Sequence, residues 1–120
     1  MIKQISTVAV YVDDQQKAKQ FWTEQVGFAV TAEFPMGADT FWLEVGPAGA
    51  QSRLVLYPKS IMNNWEEQKA SIVFESDDVL GAYETMKARG VEFAGEPQQM
   101  KWGTFVSFRD LDGNEFLLKG

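Results

Sequence analysis

The sequence contains neither cysteine nor histidine. The lack of cysteine excludes disulfide frameworks, thiolate metal sites and cysteine nucleophiles, and the lack of histidine removes the commonest metal ligand and the commonest general base near neutral pH. Any catalysis would therefore rest on carboxylates, hydroxyl groups, lysine or backbone groups. A chain of 120 residues, 45% of them hydrophobic, can form a core without such cross-links. We predict a single domain over residues 1–120.

The chain also has little positive charge and no long apolar segment. Its 11 Lys and Arg residues against 17 Asp and Glu give a net charge of −6, which repels phosphate backbones and anionic membranes. The first residues lack the basic start and apolar stretch of a secretory signal, and no apolar run is long enough to cross a bilayer. We expect a soluble cytoplasmic protein that has neither nucleic acid nor a membrane as a partner.

Several motifs that carry chemistry are missing as well. The sequence has no glycine-rich phosphate loop, no nucleophile elbow and no paired zinc motif, so nucleotide hydrolysis, serine hydrolysis and zinc proteolysis have no support. Residues 110–114, Asp-Leu-Asp-Gly-Asn, resemble a calcium loop in composition, but the glycine comes too early and no glutamate closes the loop. This segment is predicted to form a hairpin turn.

One pattern of strands and helix occurs twice along the chain. In each copy a β-branched segment is followed by paired aspartates that can cap a helix, an amphipathic helix, and a glycine that can end it. The other apolar segments of each copy are predicted to be β-strands. The predicted strands of the first copy cover 5–12, 28–34, 39–45 and 53–57, and those of the second cover 71–75, 91–93, 104–108 and 115–118.

The spacing between the two copies is nearly constant. Asp13 recurs as Asp77, Gly27 as Gly90, and Phe41 as Phe105, which indicates an internal duplication. We therefore predict an α+β fold of two βαβββ modules, one over about 1–58 and one over about 70–120, joined by a linker over 59–69. The alternative is an α+β sandwich whose halves are similar by accident.

Several of these segments resemble the vicinal oxygen chelate superfamily, which includes glyoxalases, bleomycin-resistance proteins and dioxygenases. They are residues 8–14 (Val-Ala-Val-Tyr-Val-Asp-Asp), Phe21-Trp22, residues 26–28 (Val-Gly-Phe), Trp102-Gly103, and residues 110–114, in which Leu111 replaces the family's proline. The resemblance spans nearly the whole chain. It implies a cup-shaped mixed sheet around a cavity in which enzyme members hold a divalent metal.

The positions that hold the family's metal carry no ordinary ligand in this chain. The resemblance places them at Thr7, Val55, Ser71 and Leu117. Two hydroxyl groups and two aliphatic side chains cannot coordinate a divalent cation, which needs charged or imidazole donors. We therefore expect neither a bound metal nor another cofactor.

Strand alternation indicates which side chains point into the predicted cavity. The candidate ligand-binding residues are Thr7, Tyr11, Trp42, Arg53, Tyr57, Trp65, Ser71, Glu75 and Trp102. The three tryptophans either stack on a planar ligand or pack at a dimer contact, and Arg53 is either the partner of a ligand carboxylate or a surface charge.

Glu44 and Glu75 are weak candidates for a catalytic base, because each lies in an otherwise apolar strand. The assignment of Glu44 depends on strand register, since a shift of one residue would turn it to the other face of the sheet.

These observations favour a metal-independent small-molecule-binding protein, as in bleomycin-resistance relatives that sequester a toxic or antibiotic compound, over an enzyme. The alternative is a lyase, isomerase or dioxygenase of the glyoxalase I type that uses a displaced carboxylate metal site or a carboxylate base. A third hypothesis is an interaction module with a filled cavity. The resemblance also implies a homodimer, since exposed strand edges need covering.

Overall fold

We describe the chain from a computed structural model, which covers residues 6–61, 72–101 and 103–120. The chain divides into two compact units, Met1–Lys69 and Ala70–Gly120. Each unit contains a mixed sheet and a helix, which confirms the predicted α+β class. In the described part of the chain, no helix is long and apolar enough to cross a membrane.

The first unit has a four-stranded sheet in the order β1-β4-β3-β2. β1 runs parallel to β4, and the other neighbouring pairs are antiparallel. Its elements are β1 (Thr7–Val12), α1 (Gln15–Gln20), a π-helical continuation of α1 (Phe21–Val26), β2 (Ala29–Gly37), β3 (Thr40–Gly46), β4 (Arg53–Pro58) and a 3-10 turn (Lys59–Ile61).

Asp14 begins the first helix. Its carboxylate accepts hydrogen bonds from the backbone N–H groups of Gln16 (3.0 Å) and Lys17 (3.1 Å), so the free amides of the first turn are satisfied. Asp13 instead forms an ion pair with Lys59 at 3.4 Å. The helix ends at Gly27, whose φ of 95° is the left-handed conformation that glycine adopts without strain.

The core of the first unit lies between the helix and one face of the sheet. Alternate residues of β1, β3 and β4 are buried there against the helix, because successive strand side chains point to opposite faces. They are Val10, Val12, Leu43, Val45, Leu54 and Leu56, and the helix contributes Ala18, Phe21 and Trp22. Burying each large apolar side chain contributes about 1.5–3 kcal/mol, which fixes the register of the sheet against the helix.

The second unit repeats this order with its second strand divided in two. Its sheet runs β5-β9-β8-β6, and β7 also pairs with β8. The elements are β5 (Ile72–Glu75), α2 (Val79–Ala88), β6 (Glu92–Phe93), β7 (Gln98–Met100), β8 (Gly103–Arg109) and β9 (Glu115–Lys119). Strand β7 was not predicted, because its residues are polar or exposed and carry no alternation.

Two aspartates fix local structure in the second unit, one at the start of its helix and one in its last hairpin turn. Asp78 caps α2 by accepting a hydrogen bond from Gly81 N at 3.0 Å. Asp110, which is buried, accepts hydrogen bonds from Asp112 N (3.0 Å), Asn114 N (2.9 Å) and Asn114 Nδ2 (2.9 Å). The segment over residues 110–114 is therefore the predicted hairpin turn, and its buried carboxylate serves the turn rather than a cation.

The duplication is correct at the helix boundaries but is shifted by one residue in the third strand. Gly90 has a φ of 92°, close to that of Gly27. In the sheets, however, Glu44 lies opposite Val55, and Ser107 lies opposite Leu117, so Ser107 corresponds to Glu44. The predicted equivalence of Phe41 and Phe105 is therefore wrong.

The second copy has one residue fewer than the first between its helix cap and its third strand. A shift of one residue turns a strand side chain to the other face of the sheet. Phe41 is on the helix side of its sheet, whereas Phe105 is on the opposite side, where the first sheet has Trp42.

Candidate functional site

The first sheet presents one face away from its helix, which we call the first helix-free face. β1 contributes Thr7, Ala9 and Tyr11 to this face, and β4 contributes residues that lie directly beside them. The neighbouring pairs are Thr7 with Arg53, Ala9 with Val55, and Tyr11 with Tyr57. The parallel register therefore brings together four of the predicted ligand-binding residues.

Strand β3 adds Trp42 and Glu44 to the same face. Glu44 lies opposite Val55 of β4, so its side chain points away from the helix and the register question left open by the sequence is answered. The indole Nε1 of Trp42 donates a hydrogen bond of 2.7 Å to Glu44 Oε2. This bond joins two side chains that stand next to each other on one face of a single strand.

Arg53 completes a polar group on an otherwise apolar and aromatic surface. Its Nη1 lies 3.8 Å from Glu44 Oε1, and the Glu44 side chain is 14% exposed against 40% for Arg53. This distance is longer than the roughly 2.7–2.9 Å of a charge-assisted hydrogen bond. Arg53 Nε is buried and has no hydrogen-bond partner among the residues that the structure describes. The guanidinium thus keeps donor capacity that no described residue uses.

Two tyrosines lie further along the same face. The rings of Tyr11 and Tyr57 meet edge to face with centroids 6.4 Å apart. Edge-to-face pairs are a preferred arrangement of aromatic rings and hold both rings in place. The first helix-free face therefore combines ordered aromatic rings with one carboxylate and one guanidinium, which suits a small ligand that has an apolar body and few polar groups.

The remaining predicted site residues lie in the second unit or outside the described residues. Glu75 belongs to the second unit, where it is exposed and pairs in register with Lys119. Trp65, Ser71 and Trp102 lie outside the described residues. Among the described contacts, Glu75 has no side-chain hydrogen bond like the one that Trp42 donates to Glu44.

The residues at the family's metal positions do not fit a divalent metal. Thr7 offers one neutral hydroxyl group, and Val55 and Leu117 offer no donor atom. Glu44 lies opposite Val55, and its two carboxylate oxygens face Trp42 and Arg53. Across residues 6–61, 72–101 and 103–120, no group of three or more Asp or Glu side chains could hold a metal ion.

Gln15 is a residue of this region that the sequence analysis missed. Its buried side chain donates from Nε2 to the carbonyl oxygens of Phe41 and Leu56, both at 2.7 Å, and accepts from Phe41 N at 3.0 Å. It thereby joins β3 to β4 beyond the point where the two strands pair directly. The available signal was its position on the buried stripe of the helix, three residues before Ala18.

A separate pocket of about 210 Å³ lies next to Gln15, on the helix side of the sheet. It is lined by Asp13, Asp14, Gln15, Gln16, Asp39, Phe41, Pro58 and Ser60. Two of its carboxylates already serve the fold, since Asp14 caps the helix and Asp13 pairs with Lys59. The pocket is also smaller than the roughly 300–1,000 Å³ of ordinary ligand sites, so we take the first helix-free face as the candidate site.

The sequence of this chain is similar to a known protein family and to a bacterial relative. The model of the Glyoxalase/Bleomycin resistance protein/Dioxygenase superfamily matches residues 4–118. The uncharacterized protein YetH of Bacillus subtilis (strain 168) is 67% identical over 119 residues, which cover 99% of both chains.

Two solved structures are similar over almost the whole length. TnmS3, an antibiotic binding protein from Streptomyces sp. CB03234, is 34% identical with a TM-score of 0.82, covering 98% of this chain and 95% of that one. A superfamily member from Sphaerobacter thermophilus DSM 20745 is 29% identical with a TM-score of 0.88, covering 98% and 97%. This chain therefore belongs to the Glyoxalase/Bleomycin resistance protein/Dioxygenase superfamily.

Proposed function

We propose that this protein binds a small molecule without a metal and so sequesters a toxic or antibiotic compound. The observation that carries the proposal is the grouping of Trp42, Glu44 and Arg53 on the first helix-free face, which also carries the Tyr11–Tyr57 ring pair. Ligand sites in proteins are mostly apolar and have a few fixed polar groups that set orientation. This face has that composition.

The lack of metal donors and one solved relative support the finer parts of the proposal. Metal independence is supported by the neutral and aliphatic side chains of Thr7, Val55 and Leu117 at the positions where the resemblance places the family's metal ligands. The sequestration hypothesis is supported by TnmS3, an antibiotic binding protein at 34% identity over 98% of this chain. A ligand held by ring stacking and shape complementarity can be sequestered without any chemical reaction at the site.

Titration of the purified protein with flat aromatic antibiotics tests this function directly. We expect saturable quenching of tryptophan fluorescence with one ligand per chain, and the same affinity in EDTA as in added nickel, manganese or zinc. The titration should be repeated by calorimetry to exclude optical artefacts. Loss of binding in EDTA, or about one equivalent of tightly held metal per chain by elemental analysis, would contradict metal independence.

Glu44 supports a second candidate function, a lyase or isomerase that uses this carboxylate as a base. The side chain is largely buried, and Trp42 holds one of its oxygens in a fixed position, as a general base requires. The two functions differ in the fate of the bound compound. Sequestration predicts recovery of unchanged ligand by mass spectrometry after prolonged incubation with stoichiometric protein, whereas catalysis predicts a product that Glu44→Gln no longer forms.

We also propose that the protein acts as a homodimer in the cytoplasm. Strand β2 lies at an edge of its sheet and is nine residues long, with exposed Val30, Phe34 and Met36. Long edge strands with exposed apolar side chains favour association with another chain. Light scattering coupled to size-exclusion chromatography should give twice the monomer mass of 13.5 kDa, and Phe34→Lys should shift that mass toward the monomer.

A further inference from the structure

Arg53 is a cation on the first helix-free face, and its one charged partner among the described residues is Glu44 at 3.8 Å. The backbone of Arg53 lies beside Thr7 of the neighbouring strand, so its position is fixed by the sheet rather than by a loop. Its Nε is buried without a hydrogen-bond partner among the described residues, while 40% of the side chain is exposed. A ligand cannot reach the buried Nε, so it would bind through the terminal N–H groups of the guanidinium, of which only Nη1 has a charged partner among the described residues.

Glu44 forms only a loose ion pair with Arg53. The two groups approach to 3.8 Å through Arg53 Nη1 and Glu44 Oε1. The other oxygen of Glu44 accepts a 2.7 Å hydrogen bond from Trp42, which ties the carboxylate to its own strand. Trp42 therefore keeps Glu44 from forming the two parallel hydrogen bonds that a carboxylate and a guanidinium make when both are free to align.

We propose that Arg53 recognises the planar anionic group of the ligand, so that the bound compound is a flat aromatic carboxylate or carries an equivalent pair of adjacent acceptor oxygens. This inference rests on the proposed binding function. The guanidinium fork matches two coplanar oxygens, and Arg53 is a permanent cation. The indole of Trp42 and the rings of Tyr11 and Tyr57 occupy the same face and provide stacking surfaces for the ligand ring.

A matched pair of probes isolates the contribution of the anionic group. 2-Naphthoate and 2-naphthamide have the same ring and nearly the same shape, but only the first is charged and accepts through two equivalent oxygens. We expect the unmodified protein to bind 2-naphthoate about tenfold more tightly than 2-naphthamide, since hydrogen bonds to a charged group are the strong ones. Calorimetry at low and moderate salt should measure both affinities.

Variants of Arg53 then identify the group responsible. Arg53→Met should remove the preference and bind both probes with the weaker affinity, and Arg53→Lys should keep only part of it, because an ammonium cannot make the paired hydrogen bonds. Lys17→Met is the matched control, since it removes one cation from the helix of the same unit and should retain the full preference. Near-ultraviolet circular dichroism and thermal melting should establish that all variants are folded.

The outcomes separate this inference from the function on which it rests. Equal affinity of the unmodified protein for both probes, or an undiminished preference in folded Arg53→Met, would overturn the role of Arg53 while leaving small-molecule binding intact. A protein that binds neither naphthyl probe and no aromatic antibiotic would overturn both.

Discussion

The two sheets have the same core strand order but different side chains on the faces turned away from their helices. The first presents Trp42, Glu44 and Arg53, whereas the corresponding positions of the second are Phe105, Ser107 and Glu115. Each sheet thus combines a large aromatic residue with a charged residue at the start of its last strand. The charge has opposite sign in the two units.

The two charged residues also differ in the groups that surround them. Glu115 lies 3.9 Å from Arg109, which also donates a 3.0 Å hydrogen bond to Glu92. These three charges form a local network at the edge of the second sheet. Arg53 has a single loose ion pair and a buried Nε without a partner among the described residues. On the first face, therefore, one donor is buried without a described partner, whereas on the second face Arg109 links the carboxylates of Glu92 and Glu115.

The largest expected effect comes from the support of β3 in the first unit. Gln15→Leu removes the amide that bonds the backbones of Phe41 and Leu56. We expect the free energy of unfolding to fall by about 1–3 kcal/mol, because buried backbone groups lose their partners. Chemical denaturation followed by circular dichroism measures the loss.

The neighbouring Gln16 provides the control for this prediction. Gln16 is exposed, and its side chain makes no hydrogen bond with the described residues. Gln16→Leu should therefore change the free energy of unfolding by less than about 0.5 kcal/mol. The second unit needs no such bridge, since the residue after its helix cap is the apolar Val79, which is buried. Equal stability of both glutamine variants would show that water replaces the Gln15 amide.

Local chemistry explains which parts of the fold were predictable from sequence. The caps at Asp14 and Asp78 and the stops at Gly27 and Gly90 follow from short-range hydrogen bonds and backbone conformation, and so does the turn built on Asp110. The strands other than β7 followed from runs of β-branched and apolar residues bounded by turn residues.

Features that depend on distant partners were not predictable. In β3 every residue from Phe41 to Val45 is apolar or aromatic except Glu44. Alternation alone therefore does not tell which side chains of β3 face the helix, and only the pairing of Glu44 with Val55 fixes the register. The bridging role of Gln15 depends on two strands that follow much later in the chain. The buried Nε of Arg53, which has no hydrogen-bond partner in the described part of the chain, is likewise a result of packing that the sequence does not reveal.

An intermediate effect is expected from removing the charge of Glu44. A ligand carboxylate held by Arg53 would lie close to Glu44, so the two carboxylates compete for one guanidinium. Glu44→Gln keeps an acceptor for the indole N–H of Trp42 and removes the competing charge. We expect the affinity for 2-naphthoate to rise about two- to fivefold, in line with the strength of exposed ion pairs, and the affinity for 2-naphthamide to stay constant.

The opposite result would distinguish the two proposed roles of Glu44. A fall in affinity for both probes would mean that the ligand bonds directly to the Glu44 carboxylate. Loss of product formation with unchanged affinity would make Glu44 a catalytic residue and favour the enzymatic function over sequestration.

The smallest effect is expected on the second sheet, and it tests whether the two faces differ in function as they do in chemistry. Glu75 is exposed and lies in register with Lys119, so Glu75→Gln should change the stability by less than about 0.5 kcal/mol. The affinity for 2-naphthoate should stay constant within the error of calorimetry. Glu24→Gln on the first helix controls for the loss of one negative charge. A clear change in affinity confined to Glu75→Gln would show that the ligand contacts the second sheet, and Arg53 alone would then not account for recognition.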